Sequence, residues 1–340
     1  MTKRKSELSL LNILMCLAVI TVHVISWTIT NMDTSSIQYV FMLMPWRLLQ
    51  FVVQGFIFLS AVKLFSSAKQ ITYEDFLFGR YKKIVLPYVI WVLIYYAYFI
   101  LTYGYTFSFN DLGGYLVFGT ICSHFYFVVI IMQFYLHLPL FKWLCSKVNT
   151  IILCIASVVF TAFVKQYVHF QYDDRVFFTY LCYFVLGAAV GKNYDKVIAF
   201  LKKRFIFTIP LFLIFASLDG FFTYRAQAHG ASFKYIEIVH LFYCLAAIFF
   251  VFALCIKIAE GRTLPAPLRL LDRSSYLIYL CHVIFIYMAN ALAPRIGIAS
   301  MMGQFVFRFV FAFALTLIFS MGYTFITEKI KNGKQAARTV

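Results

Sequence analysis

The chain has 340 residues, of which 63% are hydrophobic, 20% aromatic and only 13% charged. That composition excludes a soluble globular domain, and equally a soluble domain on a single anchor; it is the composition of an integral membrane protein. The formal net charge of +17 would suit nucleic-acid binding, but the distribution of the charges argues against that partner.

Ten apolar runs occur in order, at residues 8–29, 40–62, 84–103, 125–141, 151–168, 176–191, 205–222, 236–256, 274–293 and 303–326. Each approaches the ~20 residues that a bilayer-spanning helix needs. The alternating pattern of a membrane barrel is absent, so helices are left to satisfy the backbone in lipid. The first run holds AVITVHVISW (18–27), with His23 in its outer half. Asn12, Cys16, Val19, His23 and Trp27 share one helical face. A helix–helix hydrogen bond and a functional imidazole are both open for His23. The first run is too long, and too polar at its end, for a cleaved signal peptide, and no small-residue cleavage site follows it.

The second run carries Arg47, Gln54 and Ser60. Arg47 lies near the outer interface, where snorkelling also explains it. FGRYKKIVLPYVIW (78–91) leads into the third run, with Arg80 and Lys83 at i, i+3 on one face. The pair is either a positive-inside anchor or a clamp for a cytoplasmic phosphorylated ligand, whose oxygens Arg and Lys donors suit. The fourth run, SHFYFVVIIMQFYLHLPLF (123–141), opens with His124 and sets Tyr126, Gln133 and His137 on one face. Glu237 and His240 at the start of the eighth run are one turn apart. The ninth region, SSYLIYLCHVIFI (274–286), sets Ser275, Tyr279 and His282 on one face. Arg308 lies about five residues inside the tenth run. With His23 and Arg47 at similar depth, it suggests a polar pocket opening outward, which Glu237 and His240 either join or flank as a rim pair.

With the N-terminus placed in the cytoplasm and the chain alternating, 23 Lys and Arg fall on the inner side and seven on the outer. That asymmetry is the positive-inside pattern and supports ten spans with both termini cytoplasmic. It accounts for the net charge as a topology signal and an attraction to anionic lipid. No linker or repeat divides the chain, so residues 1–340 read as a single polytopic domain. The eight cysteines are scattered without a CxxC, which indicates neither a zinc site nor a disulfide framework.

His23 closing its first-run pattern, FIFLSA (56–61), RYKKIVLPY (80–88), SHFYFVVIIMQFYLHLPL in the fourth run and SYLIYLCH (275–282) together resemble the membrane acyltransferase 3 family over nearly the whole chain. Within it they look closest to the intercellular-adhesion polysaccharide O-acyltransferase-like proteins of Gram-positive bacteria. The resemblance implies an all-α bundle in the cell membrane that moves an acyl group, acetyl or succinyl, from cytoplasmic acyl-CoA to a hydroxyl of an extracytoplasmic polysaccharide or glycolipid. Acyl-CoA is then a co-substrate, and no metal or other cofactor is implied. By position, His23 matches the family's first-span histidine, and Arg80 and Lys83 match its two basic residues entering the third span. Three positions depart from the pattern. Asn12 stands where the family often has arginine, Lys83 where the second basic residue is usually arginine, and Ala61 where glycine is usual.

Acyl transfer to a hydroxyl needs a group to take the hydroxyl proton, and imidazole titrates near neutrality. His23 is therefore the candidate base or covalent acyl carrier. Tyr279, Ser275 and Gln133 are chemically able to steady an oxyanion. Asn12, Arg47, Ser60, His124, Gln133, Ser275, Tyr279, His282 and Arg308 are the candidate cavity-lining set. Two non-catalytic classes compete: an exporter of polysaccharide or lipid-linked sugar, which would also use many spans and a polar cavity, and a non-catalytic partner of a polysaccharide synthase.

Overall fold

The computed structural model describes residues 5–68 and 71–336. Four of the inner-side cations, Lys3, Arg4, Lys69 and Arg338, lie outside the described residues, and so does the Lys334 side chain. Among the described residues every regular element is a helix. In chain order they are α1 (Ser6–Ile29), α2 (Ile37–Leu48), α3 (Val52–Phe65), α4 (Tyr73–Arg80), a π turn (Tyr81–Val85), α5 (Leu86–Tyr103), α6 (Phe109–Phe118), α7 (Tyr126–Leu136) and α8 (Leu138–Lys147). There follow α9 (Thr150–Tyr167), two 3₁₀ turns (Asp173–Arg175 and Phe177–Tyr180), α10 (Leu181–Lys192), α11 (Tyr194–Lys203), α12 (Phe205–His229), α13 (Ile236–Ala259), α14 (Ala266–Arg295) and α15 (Met301–Ala336).

Eight of these are long and apolar enough to cross a bilayer, counting α2–α3 as Ile37–Phe65 and α4–α5 as Tyr73–Tyr103. The fourth predicted run is broken. α7 and α8 meet at a 56° bend beside Pro139, which has no N–H to continue the backbone ladder; as one broken span they make a ninth. The sixth predicted run falls on a shorter apolar helix, Phe177–Lys192.

The contacts of α1 and α14 constrain the count. Asn12 meets Asp272 and Ser275, and further along His23 meets His282 and Trp27 meets Tyr287. The two helices therefore run in the same direction, and an odd number of crossings must separate them. Five long helices lie between; adding the bent pair alone makes six, and adding the short helix as well makes seven. An even total of spans fits, eight or ten. α15 returns antiparallel to α14, with Arg273 paired to Glu328 at 2.7 Å and Arg308 bonded to Asn290 further along. The start of α1 and the Glu328 region of α15 consequently lie at the same end of this helix group.

The chain divides into two compact units. The first comprises Met1–Val52, Phe205–Phe233 and Phe249–Val340, and the second Val53–Arg204 and Lys234–Ile248. In the first unit α1 packs against α2, α14 and α15, and α12 packs against α2. Lipid tails are as apolar as leucine, so close packing and interhelical hydrogen bonds hold such helices together rather than a hydrophobic drive.

The second unit shows the close-packing device plainly. α10 contains Gly187 and Gly191, four apart on one face. A Cβ on Gly187 would sit 2.4 Å from the Phe58 carbonyl oxygen and 2.9 Å from the Ala61 Cβ; one on Gly191 would sit 2.8 Å from the Val62 oxygen. The backbones of α3 and α10 approach because nothing but hydrogen separates them, and Ala61 is the small residue on the facing side. Beside this contact Phe134 stacks on Phe184 at 4.4 Å, and Phe141 packs against the same ring.

Candidate active site

The seam between α1 and α14 carries a column of polar side chains, and the two faces predicted from spacing are the ones that meet there. At its first end the Asn12 amide donates to Asp272 Oδ1 at 2.7 Å and to the Ser275 hydroxyl at 2.9 Å, while the Ser9 hydroxyl donates to Asp272 Oδ2 at 2.8 Å. Asn12 and Asp272 are both buried. Position 12 supplies no charge; Asn12 and Ser9 bind the carboxylate as neutral donors. Hydrogen bonds to a carboxylate are the stronger class, at about 1.5–3 kcal/mol.

Eleven residues on, about 16 Å along the axis, the rings of His23 and His282 lie 5.1 Å apart and tilted by 52°. His282 is fully buried. Its Nδ1 lies 3.1 Å from the Ile278 carbonyl oxygen and 2.9 Å from that of Tyr279. Carbonyl oxygens only accept, so Nδ1 carries the proton, and when the ring is neutral Nε2 is its acceptor. His23, half-buried on α1, faces this ring. Tyr279 lies 6.4 Å from the His282 ring and stacks on Tyr276. Two imidazoles from two helices, one with its tautomer set by the backbone, can accept, relay and return a proton.

The two arginines of the predicted pocket have different surroundings. Arg47 donates through Nε and Nη2 to the two oxygens of Asp219, at 2.7 and 2.8 Å. Asp219 is 1% exposed, so Arg47 is one half of a bidentate ion pair and not a snorkelling cation. Arg308, 4% exposed, bonds through Nε to the Asn290 side-chain oxygen and through Nη1 to the Thr28 hydroxyl at 2.8 Å, and lies 6.0 Å from the Trp27 ring.

The remaining predicted residues belong to the second unit. Arg80 ends α4 with its guanidinium 4.9 Å from the rings of both Phe76 and Tyr135. The π turn that follows it takes more residues per turn than an α-helix. The α-helical i, i+3 face predicted for Arg80 and Lys83 is therefore opened out, and Lys83 stands exposed. π turns occur often at functional sites. His124 is buried against Phe125 and Tyr95, with ring separations of 4.2 and 5.9 Å. Gln133 uses both ends of its amide as a brace, donating to the Arg175 carbonyl oxygen at 2.8 Å and accepting from the Phe177 N–H at 3.1 Å. Ser60 lies on α3, half-buried. Glu237 pairs with Lys165 at 3.2 Å, and the His240 ring meets the Cys244 thiol at 3.4 Å.

Sequence reasoning missed Asp219, Asp272, Thr28 and Asn290. A signal existed for the acids, because a carboxylate in or beside an apolar run calls for a partner. Which partner it takes was not readable, with 172 residues separating Arg47 from Asp219 and 260 separating Asn12 from Asp272.

Among known families, the acyltransferase 3 model, described as an acyltransferase domain, matches residues 6–325. A Staphylococcus aureus (strain MSSA476) protein named "Probable poly-beta-1,6-N-acetyl-D-glucosamine export protein" is 27% identical over 309 residues, covering 84% of this chain and 83% of its own length. A protein of the same name from Staphylococcus epidermidis is 25% identical over 244 residues, covering 65% and 66%. No solved structure matches the chain.

Proposed function

The chain belongs to the acyltransferase 3 family, and from that premise we propose that it is a membrane O-acyltransferase acting on a polysaccharide. The donor in this reading is an acyl-CoA reaching the protein from the cytoplasm. The acceptor is a hydroxyl of an extracytoplasmic glycan or glycolipid at the cell membrane, and both chain termini are cytoplasmic. The observation that carries the reading is the pair His23–His282, held between α1 and α14 with one acceptor nitrogen defined by the backbone.

The chemistry is a proton transfer coupled to acyl exchange. An imidazole of the pair takes the proton of the acceptor hydroxyl as its oxygen attacks the thioester carbonyl. The carbon–sulfur bond breaks, CoA leaves as the thiolate and takes the proton, and an ester remains on the glycan. If His23 carries the acyl group itself, the same bonds change in two steps, with an acyl-imidazole between them. Arg80 and Lys83 are the donor-side cations, suited to phosphate oxygens. Asn12, Asp272 and Ser275 orient the α1–α14 seam that holds the histidines.

The names of the relatives favour a second reading, export of the polymer. The two differ in turnover. Purified protein incubated with an acyl-CoA and a poly-N-acetylglucosamine acceptor is expected to release free CoA and form an ester on the glycan. Movement of the polymer into proteoliposomes without CoA release would favour export.

A further inference from the structure

We propose that Arg308, with Asn290, is the seat of a carboxylate carried on the far end of the acyl group, so that the protein prefers a dicarboxylic acyl donor over a plain one. The inference rests on the transferase reading for its substrate but on different atoms. A guanidinium taken out of water is costly unless an anion pairs with it. Arg308 is 4% exposed, yet its partners are an amide oxygen, a hydroxyl and an indole ring. Among the described residues no carboxylate pairs with it. Arg47, the other arginine of the predicted pocket, already has its anion in Asp219.

Asn290 adds a second observation. Its oxygen accepts from Arg308, and its Nδ2 is buried with no hydrogen-bond partner among the described residues. Arg308 uses two of its five N–H groups on these neighbours, which leaves further guanidinium N–H groups available next to the unpartnered amide donor of Asn290. Two oxygens on one carbon fit that arrangement; a neutral hydroxyl leaves the charge unmatched.

The position fits an acyl tail. Trp27 lies one turn from His23 on the same face of α1, about 6 Å further along the axis; its ring is 6.0 Å from Arg308, which also bonds the adjacent Thr28. In a four-carbon dicarboxylic acyl group the carbonyl carbon and the far carboxylate oxygens are ~5 Å apart at ~1.5 Å per bond. With the carboxylate at hydrogen-bond distance from Arg308, an acyl chain of that length spans the one-turn rise from Trp27 back toward His23. An acetyl group has no charge to place there.

The test reads binding before turnover. The purified chain in nanodiscs of a single zwitterionic phospholipid is heated with succinyl-CoA or with butyryl-CoA, which has the same acyl length and no carboxylate. Ligand stabilisation converts the shift in Tm to relative affinity. Succinyl-CoA is expected to bind roughly 10- to 100-fold more tightly, the range for a charge-assisted contact. Asn290→Asp places a carboxylate beside the guanidinium. It is expected to raise Tm without donor and to erase the succinyl preference; Arg308→Gln is likewise expected to bind the two thioesters alike, and Asn290→Asp keeps the test open if that variant fails to fold. Equal affinity for the two thioesters in the unmodified protein overturns the proposal, as does a succinyl preference that survives Asn290→Asp. If instead phosphatidylglycerol raises Tm through Arg308 while the thioesters bind alike, the guanidinium meets a lipid headgroup and the proposal falls. A succinyl preference in binding without ester formation on any glycan leaves the anion seat standing and refutes the transferase reading.

Discussion

Replacing Asp219 by asparagine keeps the side chain's shape and removes its charge from the Arg47 ion pair. Two charges about 4 Å apart attract by about 4 kcal/mol at an effective dielectric of 20, and the pair is bidentate at 2.7 and 2.8 Å. Much of that attraction is offset by desolvation, since the Arg47 and Asp219 side chains are 14% and 1% exposed. Breaking such a pair from one side strands the other charge, which costs about 3–5 kcal/mol. The amide introduced by Asp219→Asn would still accept one hydrogen bond from the guanidinium, so the expected loss lies at the lower end, about 3 kcal/mol. Arg47→Met with Asp219→Leu removes both charges, and is expected to cost far less than the sum of the two single changes. Reversible unfolding of the purified protein in mixed micelles, with SDS as denaturant, measures all four corners of the cycle. A loss below about 0.5 kcal/mol for Asp219→Asn, the size of an ordinary surface substitution, or additive single effects, would refute the claim that this pair holds α2 to α12.

The other expectations test separate parts of the structure. Gly187→Val puts a branched carbon where 2.4 Å separates the Cβ position from a backbone oxygen; it should destabilise the α3–α10 contact by at least about 1–3 kcal/mol, whereas Gly79→Ala, in open space, should cost well under about 1 kcal/mol in the same unfolding assay. Arg80→Gln with Lys83→Gln should raise the apparent KM for acyl-CoA and leave the acceptor KM nearly unchanged; a loss of insertion alone would mark the pair as a membrane anchor. Single cysteines at Ser67 and Asn110 should label from opposite sides of the membrane, and labelling from one side would overturn the alternation on which the cytoplasmic termini rest.

Much of the fold was legible because the bilayer imposes a length on each span, and the apolar runs show it. Spacing also located the two faces that meet in the site: Asn12, Cys16, His23 and Trp27 on α1, and Ser275, Tyr279 and His282 on α14. The pairing of those faces was not legible, because a helical period says which residues share a side and nothing of what lies opposite. The fourth run read as one span although Pro139 lay within it; the backbone bends there because a proline cannot donate to the preceding turn. The π turn at Tyr81–Val85 likewise left no trace beyond Pro87 and the basic residues around it. Arg47 and Arg308 looked equivalent by depth, and their different partners came from helices far away in the chain. The small-residue spacing of Gly187 and Gly191 is a readable signal for close helix packing, though its partner α3 is not.

The central claim is that the imidazole at position 23 moves the proton, or carries the acyl group, in an acyl transfer. The most direct test compares the unmodified protein with His23→Gln, which keeps hydrogen-bonding capacity and removes basicity. Both are purified to equal stability and incubated with acyl-CoA and glycan acceptor, and free CoA and esterified product are quantified together. Loss of a base of this kind costs roughly 10²–10⁴-fold in rate, so His23→Gln is expected to bind acyl-CoA normally and to release CoA at most at about one-hundredth of the original rate. Turnover near that of the unmodified protein would contradict the claim and move the base to another residue, His282 first.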